Sequence, residues 1–278
     1  MKIQKIANVL VIFILFLSLK GFTQQSGTGI TEKQIMDINQ LVEDLSNKDK
    51  FSGTVLIAKD QNIIYTKAIG LANKEQNSTT NLDTKFNLAS MTKMFTSIAI
   101  AQLVEQKQIK FSDKIVKILP SLPKNIYGKI TVHQLLTHTA GTGDIFRNPK
   151  FWDIKDTAKS ISTYVNIGID DPLWIKAGSK FEYSNYGYIL LGAVIEKISG
   201  MSYYDYVKKN IFEVAKMLNT DSYETDKPNT NMAIGYTVPP QMPAQKSSHA
   251  SEKTEREPNT KFIEVKGTSA GGGYSTAN

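Results

Sequence analysis

Cysteine is absent from the 278 residues, and that absence excludes several chemistries at once. There is no disulfide framework, no thiolate metal site, no cysteine nucleophile and no acceptor for lipoprotein acylation. Histidine is scarce, with three in all. His133 and His138 stand five apart, outside the i, i+4 spacing of a helical zinc pair, and no carboxylate cluster accompanies them. No metal and no cofactor is therefore expected. The chain also lacks a basic cluster interleaved with aromatics, so its formal net charge of +7 does not make nucleic acid an expected partner. Long apolar runs are missing too. Val9–Leu19 is too short to span a bilayer comfortably. Behind Lys2 and Lys5 it reads as the apolar part of a signal peptide covering residues 1–23, with Gly21 and Thr23 as small residues before a cut ahead of Gln24. The expectation is a periplasmic or secreted protein with no membrane span after cleavage; an uncleaved N-terminal anchor is the alternative.

What is present is Ser90-Met-Thr-Lys93 at the head of an apolar helical run. A serine hydroxyl is a weak nucleophile at neutral pH and needs a base beside it. Residues three apart on a helix share a face, so Lys93 can reach back to Ser90. A helix start also favours negative charge developing there. Phe95, Ile98, Ile100, Leu103 and Val104 surround the axis, which predicts a helix buried nearly all round. On this motif alone the plainer reading stays open, with Ser90 as an N-cap and Lys93 as a solvated first-turn residue. A second match, Ser121-Leu-Pro-Lys124, is rejected because Pro120 and Pro123 break any helix aligning its two side chains. The second chemical feature is Tyr183-Ser184-Asn185. A tyrosine held near a lysine loses its proton more easily and serves as a base or relay. An asparagine two residues on has an oxygen for the lysine and an amide N–H for a substrate carbonyl. The alternative is a turn rich in Tyr, Ser, Asn and Gly.

Periodicity places these motifs in an α+β chain. A first helix is expected over Thr31–Lys48, with Thr31 and Gln34 as a capping box. A hairpin follows, Phe51–Ala58 and Ile63–Gly70. Helices are expected over Ser112–Leu119, Val132–Thr137, Thr157–Ile167, Tyr188–Ile198 and Ser202–Met217. Residues 221–260 are polar and hold Pro228, Pro239, Pro240, Pro243 and Pro258, so they read as a surface excursion, and Thr260–Val265 reads as a short strand. The organisation expected is one domain over residues 24–278 with a helical lobe at about 90–220.

Taken in order, Phe51-Ser-Gly-Thr-Val-Leu-Ile57, Phe86-Asn-Leu-Ala-Ser-Met-Thr-Lys93, Ile130-Thr-Val-His-Gln-Leu-Leu-Thr-His-Thr-Ala-Gly141 and Phe181-Glu-Tyr-Ser-Asn-Tyr-Gly-Tyr188 form a specific set. With them the chain, from about Phe51 to Asn278, resembles the serine β-lactamase and penicillin-binding-protein superfamily. The branch is the one with class C β-lactamases, D-alanyl-D-alanine carboxypeptidases and related esterases. The resemblance implies an antiparallel sheet flanked by helices plus a helical lobe. It implies Ser90 as nucleophile, Lys93 as its base, Tyr183 as second base and acid, and Asn185 as a substrate-binding residue. The reaction implied is acyl transfer from an amide, β-lactam or ester carbonyl through an acyl-enzyme, on a small molecule or a cell-wall peptide; a monomer is expected. The backbone N–H of Ser90 is one implied oxyanion donor.

The sequence departs from the family at Ala177, where proline is usual, at Ala140 in place of serine, and at Lys216 in place of glycine. The family's third motif, Lys-Thr-Gly or His-x-Gly on a strand beyond Gly272-Gly-Tyr-Ser-Thr, is not in the sequence, and Lys266-Gly-Thr268 has the wrong order and lies too early. The C-terminal strands are therefore expected to be missing, making the chain a fragment or a degenerate paralogue with little hydrolytic activity of its own. The rival reading is a non-catalytic protein that keeps the fold and binds peptidoglycan or peptides.

Overall fold

The computed structural model describes residues 30–238 and 256–278. The expected signal peptide lies outside the described residues. Helix α1 (Glu32–Asn47) opens with the capping box, Thr31 Oγ1 accepting from the Gln34 N–H and Gln34 Oε1 accepting from the Thr31 N–H. Strands β1 (Gly53–Lys59) and β2 (Asn62–Ile69) form the hairpin, Gly53 opposite Ile69. Asp60 and Gln61 make its turn at positive φ, the geometry that matches strand twist. Short strands β3 (Leu71–Asn73), β4 (Ser78–Thr79) and β5 (Phe86–Asn87) lead to α2 (Lys93–Glu105). Then come α3 (Ile115–Ile118), α4 (Lys124–Tyr127), α5 (Val132–Leu136), α6 (Pro149–Ile154), α7 (Ile161–Gly168), α8 (Asn185–Ser199) and α9 (Tyr203–Val207). Strands β6 (Tyr236–Thr237), β7 (Glu257–Pro258) and β8 (Tyr274–Ser275) complete the described chain.

The strands pair antiparallel, as the resemblance implies. Among the described residues there are four two-stranded antiparallel ladders, β1–β2, β3–β4, β5–β8 and β6–β7. The ladder β5–β8 matters most for function, because it ties the residues before Ser90 to those after Ala270.

Helix α8 is the centre of the core. Leu190, Leu191, Val194 and Ile195 have no exposed surface, and Ala99 and Ile100 of α2 and Ile161 of α7 share that burial. Each such Leu, Val or Ile side chain stabilises the fold by roughly 1.5–3 kcal/mol. Ser184 caps α8, its Oγ accepting from the Gly187 N–H at 2.9 Å, which is why the helix starts at Asn185 rather than Tyr188. Gly200, at φ +70°, ends it in the left-handed cap that glycine adopts without strain. Capping also moves α7: Ser160 accepts from the Thr163 N–H, so the helix begins at Ile161 rather than Thr157.

Other expectations are corrected. Helix α3 is only one turn long, because Asp113 accepts from the Lys110 N–H and bends the chain ahead of it. The helix expected to reach Met217 is α9 followed by a single π turn, Lys208–Phe212. Thr260–Val265 is not a strand; a 3-10 turn covers Asn259–Phe262. Helix α2 is not buried all round: Met91, just before it, and Met94 and Ile98 within it are 64%, 51% and 40% exposed. In the stretch read as a surface excursion, residues 221–238 are hydrogen-bonded into the fold. Asp221 and Tyr274 exchange two backbone hydrogen bonds, Asn231 and Ala233 bond to Lys85, and the Ile234 N–H donates to the Ala72 carbonyl. No helix of the described residues is long and apolar enough to cross a membrane.

Candidate active site

Ser90 does not sit on the α-helix itself. It lies in a 3-10 turn, Ala89–Thr92, that feeds α2. That turn has three residues per turn, so i and i+3 eclipse and Lys93 stands directly over Ser90. The turn is set by Ala89, whose φ of +45° is costly for a residue with a Cβ. Its N–H donates to Asn87 Oδ1 at 2.7 Å, and its carbonyl accepts from the Gly272 N–H at 3.3 Å.

Lys93 is buried, with 7% of its surface exposed. Its ammonium has three donors and three acceptors: Asn185 Oδ1 at 2.7 Å, Ser90 Oγ at 3.3 Å, and the Ala270 carbonyl in a short contact. Burial pushes this amine below the ordinary lysine value, opposed by Tyr183 beside it. The Tyr183 hydroxyl donates to Ser90 Oγ at 2.8 Å, and the Lys93 nitrogen lies 5.0 Å from the Tyr183 ring centre. The hydroxyl, amine and phenol expected from three motif positions thus converge on one oxygen. Neither Ser90 as a side-chain N-cap nor Lys93 as a solvated residue survives this geometry.

Asn185 is brought in as well, buried in the first turn of α8. Its oxygen holds Lys93, as expected. Its amide nitrogen donates to Asp144 Oδ1 at 3.0 Å, which leaves its other N–H for a ligand. Asp144 fixes which way the amide points, and Asp144 Oδ1 is itself held by the Phe146 N–H. Tyr188, one turn further on, closes the floor: its hydroxyl pairs with Ser97 Oγ and with the Leu136 carbonyl, and its ring lies 5.4 Å from the Lys93 nitrogen. Ala270 and Glu264 complete the back wall. The turn that presents the Ala270 carbonyl is built on glycine: a Cβ at Gly272, φ +84°, would lie 2.5 Å from Glu264 Oε1. The Glu264 carboxyl is pushed up to about 7 by burial, Lys93 pulling it the other way.

Asp144, Tyr188, Ala270 and Glu264 were not singled out from the sequence. Asp144 carried the only available signal, a carboxylate in the Gly-Thr-Gly-Asp turn after the Thr-His-Thr motif. Lys266, by contrast, faces away, paired with Glu224 and 4.1 Å from the Tyr204 ring centre. The Trp174 indole lies against Gly143, beside Asp144, with the Arg147 guanidinium 5.2 Å from its ring centre.

Fold and site together define a helix-centred α+β protein whose serine is served by a lysine and a tyrosine. A sequence model of the Beta-lactamase family matches residues 38–278, and the chain belongs to that family. It is 35% identical over 193 residues to penicillin-binding protein 4* of Bacillus subtilis, covering 67% of this chain and 41% of that protein. It is 28% identical over 215 residues to protein flp of Staphylococcus aureus, covering 76% of this chain and 43% of that one. The chain thus spans under half the length of these curated relatives. Among solved structures, a penicillin-binding protein from Bacillus halodurans superposes with a TM-score of 0.72 at 29% identity, over 85% of this chain and 70% of that one. An octameric penicillin-binding protein homologue from Pyrococcus abyssi gives 0.71 at 27%, over 87% and 53%.

Proposed function

We propose that this protein is a serine hydrolase that opens an amide, β-lactam or ester carbonyl by forming an acyl-enzyme on Ser90. The observation that carries the reading is the meeting of Lys93 and Tyr183 on Ser90 Oγ, at 3.3 and 2.8 Å. With Lys93 as a neutral amine, two N–H groups stay on Asn185 and Ala270, and the lone pair faces the serine hydroxyl. The Ser90 proton passes to Lys93 as Oγ attacks the carbonyl carbon, and the carbonyl π pair moves onto oxygen, where the Ser90 N–H is one donor. Collapse expels the amine or alcohol, which takes a proton from Tyr183; Tyr183 recovers one from the Lys93 ammonium. Water then attacks the ester by the reverse route. Asn185, through its spare N–H, holds the substrate amide.

Penicillin is the probe of choice, because relatives by sequence and by fold carry it in their names. A fluorescent penicillin and a chromogenic ester, followed by intact-mass measurement, are expected to add one acyl group on the peptide that carries Ser90. The adduct needs only the first half-reaction, so it is read in place of turnover. Well-folded protein untouched by both probes overturns the reading and favours a peptide-binding role. Tyr183→Phe keeps the ring and removes the phenol; the acylation rate constant is expected to fall roughly 10²–10⁴-fold, the usual contribution of a general acid–base. Wild-type acylation by this variant in stopped-flow would remove Tyr183 from the mechanism. The reading also places the protein outside the cytoplasm, on the strength of Lys2, Lys5 and the Val9–Leu19 run. N-terminal sequencing of exported protein is expected to begin at Gln24, and an intact Met1 refutes it.

A further inference from the structure

His138 lies in the turn that follows α5, and its surroundings give it more to do than shape that turn. Its φ of +55° lies in the left-handed region. In that conformation both its carbonyl and its ring face the segment that carries Tyr183. The carbonyl accepts from the Glu182 N–H at 2.7 Å, and Nδ1 accepts from the Ser184 N–H at 3.1 Å. The imidazole is stacked on the Tyr183 ring, centres 4.4 Å apart and planes 29° from parallel. Tyr188 lies against it at 5.1 Å, and Phe181 meets it edge-on at 5.7 Å. Residues 182 and 184 are thus bound on either side of the phenol, and the phenol's own ring rests on the same histidine.

We propose that His138 is a positioning residue for Tyr183: as the neutral tautomer protonated on Nε2 it clamps residues 182–184 and aims the phenol at Ser90, and its protonation opens the clamp. The inference rests on the proposed acyl transfer only for the reaction that Tyr183 serves. The tautomer follows from the hydrogen bond, because a nitrogen that accepts cannot carry a proton. An imidazolium has two donors and no acceptor, so the Ser184 N–H would meet another N–H. The groups facing the ring are the Tyr183 and Tyr188 phenols and the Lys93 amine from α2; Lys180 and Glu182 pair with one another at 3.8 Å on the clamped segment. Burial, then the nearby Lys93, hold the imidazole below the ordinary histidine value, and the Ser184 N–H opposes them. The clamp is therefore expected to stay closed at neutral pH and to open in acid.

Two variants test this in the full chain. His138→Asn tolerates positive φ and keeps an acceptor for Ser184, but has neither ring nor titration. His138→Phe keeps a ring and loses the acceptor. Acylation by fluorescent penicillin is measured against pH, with circular dichroism as a check on folding. The wild-type rate is expected to fall in acid with a slope approaching two, because Lys93 and His138 must both be unprotonated. For His138→Asn the slope is expected to drop to one, with a rate within about tenfold of wild type at pH 8. For His138→Phe the rate constant is expected to fall roughly 10²-fold, the scale of a misplaced catalytic group, and penicillin affinity to change little. Folded His138→Phe that acylates like wild type, with the same pH profile, overturns the proposal. NMR gives a readout that needs no acylation: the Tyr183 ring signals are expected to move with the titration of the His138 ring protons. Tyr183 signals that ignore that titration sink the clamp even in an active protein. A coupled titration in a protein that penicillin never labels supports the clamp and sinks the acyl-transfer reading instead.

Discussion

Ser90→Ala is expected to abolish covalent labelling by penicillin and by ester, and to leave the fold standing. Loss of the serine nucleophile in a well-studied hydrolase costs on the order of 10⁶ in rate, and a fall of 10⁴ or more is expected here. The structural cost is small for identifiable reasons. Ser90 is exposed, and its backbone is set by Ala89 rather than by its own side chain. Lys93 loses the longer of its contacts and keeps Asn185 and Ala270. Tyr183 keeps its stack on His138. The melting temperature is therefore expected to stay within a few degrees of wild type while the mass adduct disappears. An adduct that persists on Ser90→Ala would mean another nucleophile, and the mechanism would fail.

Lys93→Met is expected to be nearly as damaging to chemistry and to act differently on stability. Met matches the length of the lysine stem and removes the amine, so acylation is expected to drop by roughly 10³–10⁴-fold, the upper range for general base catalysis. Stability is where the two substitutions part. The folded protein holds the Lys93 proton less tightly than the unfolded chain, whose lysines titrate near ~10.4. Keeping that proton on the buried amine therefore costs the folded protein stability, and the cost is relieved as pH climbs through the depressed folded value toward the unfolded one. Wild type is accordingly expected to gain on Lys93→Met as pH rises across that window. The variant also leaves the Asn185 oxygen and the Ala270 carbonyl without their donor, about 1–3 kcal/mol for each buried group left unpaired. Denaturant melts of both proteins between pH 7 and 10 measure the difference. A gap independent of pH would mean that Lys93 titrates in the fold as it does in water.

The parts of this protein that sequence made legible are the local ones. The Thr31 capping box, the β1–β2 hairpin and the apolar stripe of α8 depend on residues a few positions apart, and side-chain periodicity records them. The motif residues Ser90, Lys93, Tyr183 and Asn185 were legible because an ordered family pattern marks them. The companions of those residues were not. Asp144 reaches Asn185 across 41 residues, and Ala270 reaches Lys93 across 177 through a backbone carbonyl, which every residue possesses. No side-chain pattern records such a partner. The exposure of Met91, Met94 and Ile98 was misread for a related reason: apolar character predicts burial only where another element arrives to cover it.

The reach from Lys93 to Ala270 has a consequence for biosynthesis. A ribosome delivers the nucleophile and its amine long before it delivers the carbonyl that completes the amine's shell. Until that segment docks, the amine lacks part of the burial that lowers its hold on a proton. On the proposed mechanism the site is therefore expected to be complete only once β8 pairs back onto the residues ahead of Ser90.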